Sequence, residues 1–180
     1  AYTDRDGYYK MKKTFASDLR YRLVFKNEKG FSIGLNLVLV PASVSTLGKS
    51  SPEGVSMTVT GDSDSKLFRR CVVNNAAYDY MSRCKPEDLG IAMPPGDLRI
   101  WILDFLEASS AVMLHHGALI RHDLITSYLG VYADLIEAFL PDITVGTKGI
   151  REYDRIYSTT CHELAHASHF AKVGTGYWDK

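Results

Sequence analysis

Apolar and polar positions change period several times along this chain, and each change marks an expected element. Residues 21–26 read as a strand, residues 27–30 carry turn chemistry around Gly30, and residues 31–40 read as the returning strand, closed by Pro41. The preceding residues 1–20 mix charges and tyrosines without firm periodicity and are expected to form an exposed lead-in. Residues 42–54 are rich in Ser, Gly and Pro and predict a loop, whereas residues 55–60 alternate like a strand up to Gly61 and Asp62. A short helix is expected over 74–82. The strongest strand signal is residues 97–105, whose nearly continuous apolar character implies a central position covered on both faces. Residues 110–115 predict a further short strand. From 118 to 139, Leu119, Leu124, Ile125, Leu129, Tyr132, Ala133 and Ile136 recur at helical spacing ahead of Pro141, predicting a long backing helix. Gly130 weakens its middle by about 1 kcal/mol relative to Ala. Residues 143–145 predict a short strand, 146–149 a turn, and a last helix begins at 150 or 151. On that helix Tyr153, Tyr157, Thr160, Leu164, Ala167 and Ala171 share one side, and Gly174 is a natural stop. The fold class is α+β, with a β-rich N-terminal unit over 1–64 and the remaining elements over 65–180.

The last helix also carries the chain's one motif with its own mechanism. His162 and His166 bracket Glu163 in an H-E-x-x-H string. At i and i+4 the two imidazoles project from one helix face and can share a metal ion. Nitrogen ligands at this spacing suit Zn²⁺. Glu163 is rotated about 100° around the helix from His162, which leaves its carboxylate beside the metal as a general base rather than a ligand. The spacing thus offers two ligands and a base. His169, i+3 from His166, shares the ligand face, but a metal between His162 and His166 lies about 7 Å along the axis from it. His169 therefore reads as a cleft residue around the metal, or as a third ligand only if the helix bends.

These residues resemble the zincin metallopeptidases. The string His162-Glu163-Leu164-Ala165-His166-Ala167-Ser168-His169-Phe170, followed by Gly174-Thr175-Gly176-Tyr177-Trp178, is most similar to the gluzincin-like zinc metallopeptidases of bacterial cell envelopes. The resemblance implies zinc ligands at His162 and His166 and a catalytic base at Glu163. It implies a zincin-like upper subdomain over 65–180, a mostly β sheet backed by a long helix with the H-E-x-x-H helix beneath it. It also implies a protein or peptide substrate bound as an added strand along the sheet edge. The chain departs from the sub-families at the third ligand. His169 and Lys172 stand where a metzincin has Gly and His, Tyr177 stands where an aspzincin has Asp, and Asp179 comes two residues late. A gluzincin draws a Glu from a later helix, and the chain ends at Lys180. The expectation is a fragment whose lower, Glu-bearing half is missing. Tyr177 is a candidate oxyanion donor.

Composition narrows the alternatives. Apolar residues at 46% suffice for a core, and 21 basic against 21 acidic residues leave no net charge, which argues against nucleic-acid or anionic-membrane partners. No run approaches the ~18 apolar residues of a membrane span. The start Ala1-Tyr2-Thr3-Asp4 reads as a processed or trimmed chain, and the resemblance implies an extracytoplasmic place, whether secreted, periplasmic or lipid-anchored. Cys71 and Cys84 can bridge in an oxidising compartment or stay as free thiols, and Cys161 reads as packing. Trp101 can wall a subsite or pack in the core, and His115, His116 and His122 are weaker metal candidates. Two further readings remain: a non-catalytic envelope binding module with a relic zincin helix, and a purely structural metal site. The second lacks the Cys pair such sites commonly use.

Overall fold

A computed structural model of the chain describes residues 1–4, 6–28, 30–34, 43–62, 64–84, 90–118 and 140–178. They form two compact units: residues 1–23 with 44–58, and residues 24–43 with 59–180. The segment from residue 24 to 43 thus belongs with the C-terminal elements.

The first unit is a two-stranded sheet of β1 (Leu19–Val24) and β4 (Val44–Ser50). Residues expected to loop after 42 are thus a strand, and the alternating stretch 55–60 is not one. The reason is partnership: the polar pattern of β4 suits a half-exposed ribbon, and β1 is there to pair with it. Tyrosines replace a large core in this unit. Tyr21 is buried, its hydroxyl donates to the Ser51 carbonyl at 2.8 Å, and its ring meets Tyr9 edge-on at 6.3 Å. The Tyr9 hydroxyl in turn accepts from the Val55 N–H at 3.0 Å, so the lead-in is anchored.

The second unit is built on a five-stranded mixed sheet in the order β2 (Lys26–Asn27), β3 (Phe31–Ile33), β5 (Leu98–Leu103), β7 (Ile143–Gly146), β6 (Ser110–Ala111). The three inner strands run parallel, and β2 and β6 flank them antiparallel. The turn expected at 27–30 is present, with Gly30 at φ +94 and its N–H donating to the Asn27 carbonyl. β5 occupies the central place its apolar run predicts. Ile33, Ile100, Ile143 and Ala111 stand in register across four strands, and the three isoleucines are fully buried.

Parallel strands need a crossover, and α1 (Ser65–Arg83) supplies the one from β3 to β5. It is longer than the helix expected over 74–82, because Asp64 caps it: the Asp64 carboxylate accepts from the Leu67 N–H at 2.9 Å. Its buried stripe is Leu67, Val72, Val73, Ala76, Ala77 and Met81. Removing the cap with Asp64→Ala is expected to cost about 1 kcal/mol, read as a lower urea midpoint at unchanged slope. Cys71 lies in the second turn of this helix and Cys84 caps its C-terminal end, about 20 Å away along the axis at 1.5 Å per residue, so the open question of a bridge is settled by distance. Both are free thiols, as is Cys161.

Of the backing helix expected over 118–139, residues 119–139, with His122, lie outside the described residues. The H-E-x-x-H helix is α2 (Tyr153–Val173), and a short turn of helix, α3 (Thr175–Trp178), follows it. α2 packs against α1, β7 and β6. Two polar bonds tie it to α1: Tyr157 donates to Asp79 at 3.0 Å, and Tyr80 shares a hydrogen bond with Ser168 at 3.0 Å. Burial and then the Asp79 bond push the Tyr157 hydroxyl up to about 12. The fold is thus α+β, with three helices among the described residues. No described helix is long and apolar enough to cross a membrane.

Candidate metal centre

The site is built by α2 lying under the edge of the sheet. Its buried side is Ile156, Thr160, Leu164, Ala167, Ser168 and Phe170, together with Glu163. Three of the positions expected on the apolar back are there, while Tyr153 and Ala171 are exposed. Ile156 and Phe170 take their places. Gly174 ends the helix as its sequence position suggests, at φ +72 with its N–H donating to the Phe170 carbonyl at 2.8 Å.

His162 and His166 are exposed on the opposite face, and their rings converge. The two Nε2 atoms lie 3.1 Å apart and the ring centroids 4.7 Å apart. Two nitrogens bound tetrahedrally to one zinc at about 2.05 Å each stand about 3.3 Å apart. The separation of the two nitrogens is therefore within a few tenths of an ångström of the one a shared zinc requires.

Glu163 is only 5% exposed although it is charged and next to an exposed histidine. Burial raises its carboxyl above the usual carboxylate range. His162, His166 and the backbone N–H of Ala111, which donates to it, pull it back down without cancelling the rise. Ala111 belongs to β6, the last strand in the sheet order among the described residues, so that strand and the base are joined by one hydrogen bond. Nothing in the sequence marks that donor, since any residue but proline supplies a backbone N–H.

The remaining expected residues fall around the pair. His169 is exposed, and its ring meets those of Tyr177 at 6.0 Å and Trp178 at 5.9 Å. Trp178 also packs edge-on against Phe170 at 5.5 Å and against His166 at 6.5 Å, a wall that the motif alone did not suggest. Tyr177 is 64% exposed, and Asp179 lies outside the described residues. Among the described residues no group of three or more His, Cys, Asp or Glu is arranged to hold a metal ion. Trp101 is half-buried on β5 with its indole N–H enclosed, and His115 and His116 pair with Asp97 and Asp142 rather than with the α2 histidines. Compared with known proteins, the chain matches no family model, no curated protein and no solved structure.

Proposed function

We propose that this chain carries the metal-binding half of a hydrolytic centre. More particularly, we read it as a zinc-dependent peptidase of the zincin type, acting on protein or peptide substrates. The observation that carries this reading is the 3.1 Å approach of the His162 and His166 Nε2 atoms beside a buried carboxylate. His162 and His166 would hold the ion. Zinc bound there supplies Lewis acidity, which makes water a nucleophile near neutral pH and polarises a carbonyl. Glu163 takes the water's proton on its carboxylate and returns it to the leaving amine. Burial shifts its carboxyl upward, the direction that makes the carboxylate a stronger proton acceptor. Among the described residues β6 is the last strand in the sheet order, and an extended peptide would pair there as an added strand near Glu163. The parallel inner strands, the antiparallel edge and the helix beneath them support the zincin-like layout. The extracytoplasmic setting rests on the sequence resemblance alone.

The same ring approach can be closed by one shared proton, as N–H···N, instead of a metal, and titration separates the two. Zinc at about 100 times its Kd is expected to stabilise the fold by about 2.7 kcal/mol, and His162→Ala to remove that gain. Digestion of a peptide library with and without chelator tests the activity. Chelator-sensitive cleavage supports the peptidase, whereas zinc binding without cleavage leaves a non-catalytic envelope binding module.

A further inference from the structure

A second cluster of histidine and aspartate lies away from α2, where the start of β5, the start of β7 and the turn after β6 meet. Asp142 is fully buried there. Its carboxylate accepts from the Arg99 N–H at 3.0 Å, the His116 N–H at 3.2 Å and the His116 Nδ1 at 2.8 Å. The other ring nitrogen of His116, Nε2, is 2.9 Å from the Gly96 carbonyl oxygen. A carboxylate and a carbonyl can only accept, so both contacts form together only when both ring nitrogens carry protons. A neutral ring has one N–H. The buried carboxylate claims it at Nδ1, which leaves the Nε2 lone pair facing the lone pairs of Gly96.

Backbone conformation points to the same place. Among the described residues, the only non-glycine residues with positive φ are Asp97, at +55, and Met113, at +52. Asp97 follows the Gly96 carbonyl that His116 grips, and Met113 opens the turn that carries His116. Strain of this kind persists only where the surroundings over-determine it. Among the described residues, the titratable groups around the His116 ring are Asp142, Asp97 and His115, with Arg99 beside Asp97. His115 Nε2 lies 3.4 Å and Arg99 Nη2 3.5 Å from the same Asp97 oxygen. From α2 the ring meets only the uncharged Phe170, at 6.4 Å.

We infer that His116 is a proton-operated clamp: protonated, it ties the turn after β6 and the buried Asp142 to Gly96, and deprotonated it releases the segment leading into β5. Burial pulls the ring's pKa down, but the Asp142 bond and charge, the Gly96 carbonyl and Asp97 outweigh it, so the ring titrates above the ordinary histidine value. The folded pKa being the raised one, the clamp's stabilisation is complete below about pH 6.5 and is lost as pH rises through the folded value. This inference is independent of any metal at His162 and His166.

The test is a ¹⁵N NMR titration of the full chain, following the His116 ring and the solvent exchange of the Asp97, Leu98, Arg99 and His116 amides. Both ring nitrogens are expected to be protonated at pH 6.5. Amide protection, corrected for intrinsic rate, should then fall about tenfold as pH rises through the ring's midpoint. A neutral ring at pH 6.5, or protection unchanged through the titration, overturns the clamp. His116→Gln should show the loosened exchange already at pH 6 with no step, and His115→Gln should keep the step. Loss of the step in His115→Gln instead would assign it to the wrong histidine. Should His116→Gln fail to fold, the titration of the unaltered chain decides alone.

Discussion

Glu163→Gln is expected to lower turnover by about 10²–10⁴-fold while zinc affinity stays within a few-fold, the range a positioned general base contributes. The substitution keeps the shape of the side chain. Its amide oxygen can still accept from the Ala111 N–H, but it cannot take up a proton. The fold should not suffer. Glu163 has a raised folded pKa, so its ionised form is penalised by burial once pH exceeds the ordinary carboxylate range. Stability from that group is intact at low pH and falls as pH rises through the unfolded and then the folded value. Gln removes this penalty, so at neutral pH the variant should be at least as stable as the parent. Steady-state kinetics on a peptide substrate, with zinc affinity by calorimetry, checks both halves. Undiminished turnover would defeat the assignment of the base, and lost zinc would show that the carboxylate is a ligand.

Leu164→Ala, one residue further along, should act on the fold instead. Leu164 is fully buried on the side of α2 that packs into the core. Truncating such a side chain removes its transfer energy and leaves a cavity, for about 2–5 kcal/mol. The urea midpoint should drop at unchanged slope, and whatever zinc binding remains should track the folded fraction. His162→Ala is the control on the same helix: the residue is exposed, so its stability effect should stay within about 0.5 kcal/mol while zinc binding is lost. Equal destabilisation by the two variants would mean that α2 does not divide into a packing side and an exposed histidine side.

That division is the part of the site most legible in the sequence. The i, i+4 spacing of His162 and His166 places both rings on one face of any helix, and Thr160, Leu164 and Ala167 lie on the other by the same arithmetic. Gly174 as the stop, the turn at Gly30 and the central β5 were also readable, because each follows from a local period or a local backbone requirement. α1 was only half readable: Lys66, Arg69 and Arg70 crowd its unread first half, and its first turns depend on the Asp64 cap. β4 was missed because its seven residues have no strong pattern of their own, and only β1 beside them makes a strand of them.

The sequence by itself determined which helix faces and turns form, since neighbours within a few residues decide these through helix geometry, strand alternation and glycine's access to positive φ. Only the tertiary structure decided what meets across long separations. It buried the Glu163 carboxylate under Ala111 of β6, laid Trp178 against His166, and closed His116 onto Asp142 across 26 residues. Those contacts depend on strand order and on how α2 sits beneath the sheet, and burial and facing charges, which set the chemistry of each group, exist only once the chain is packed.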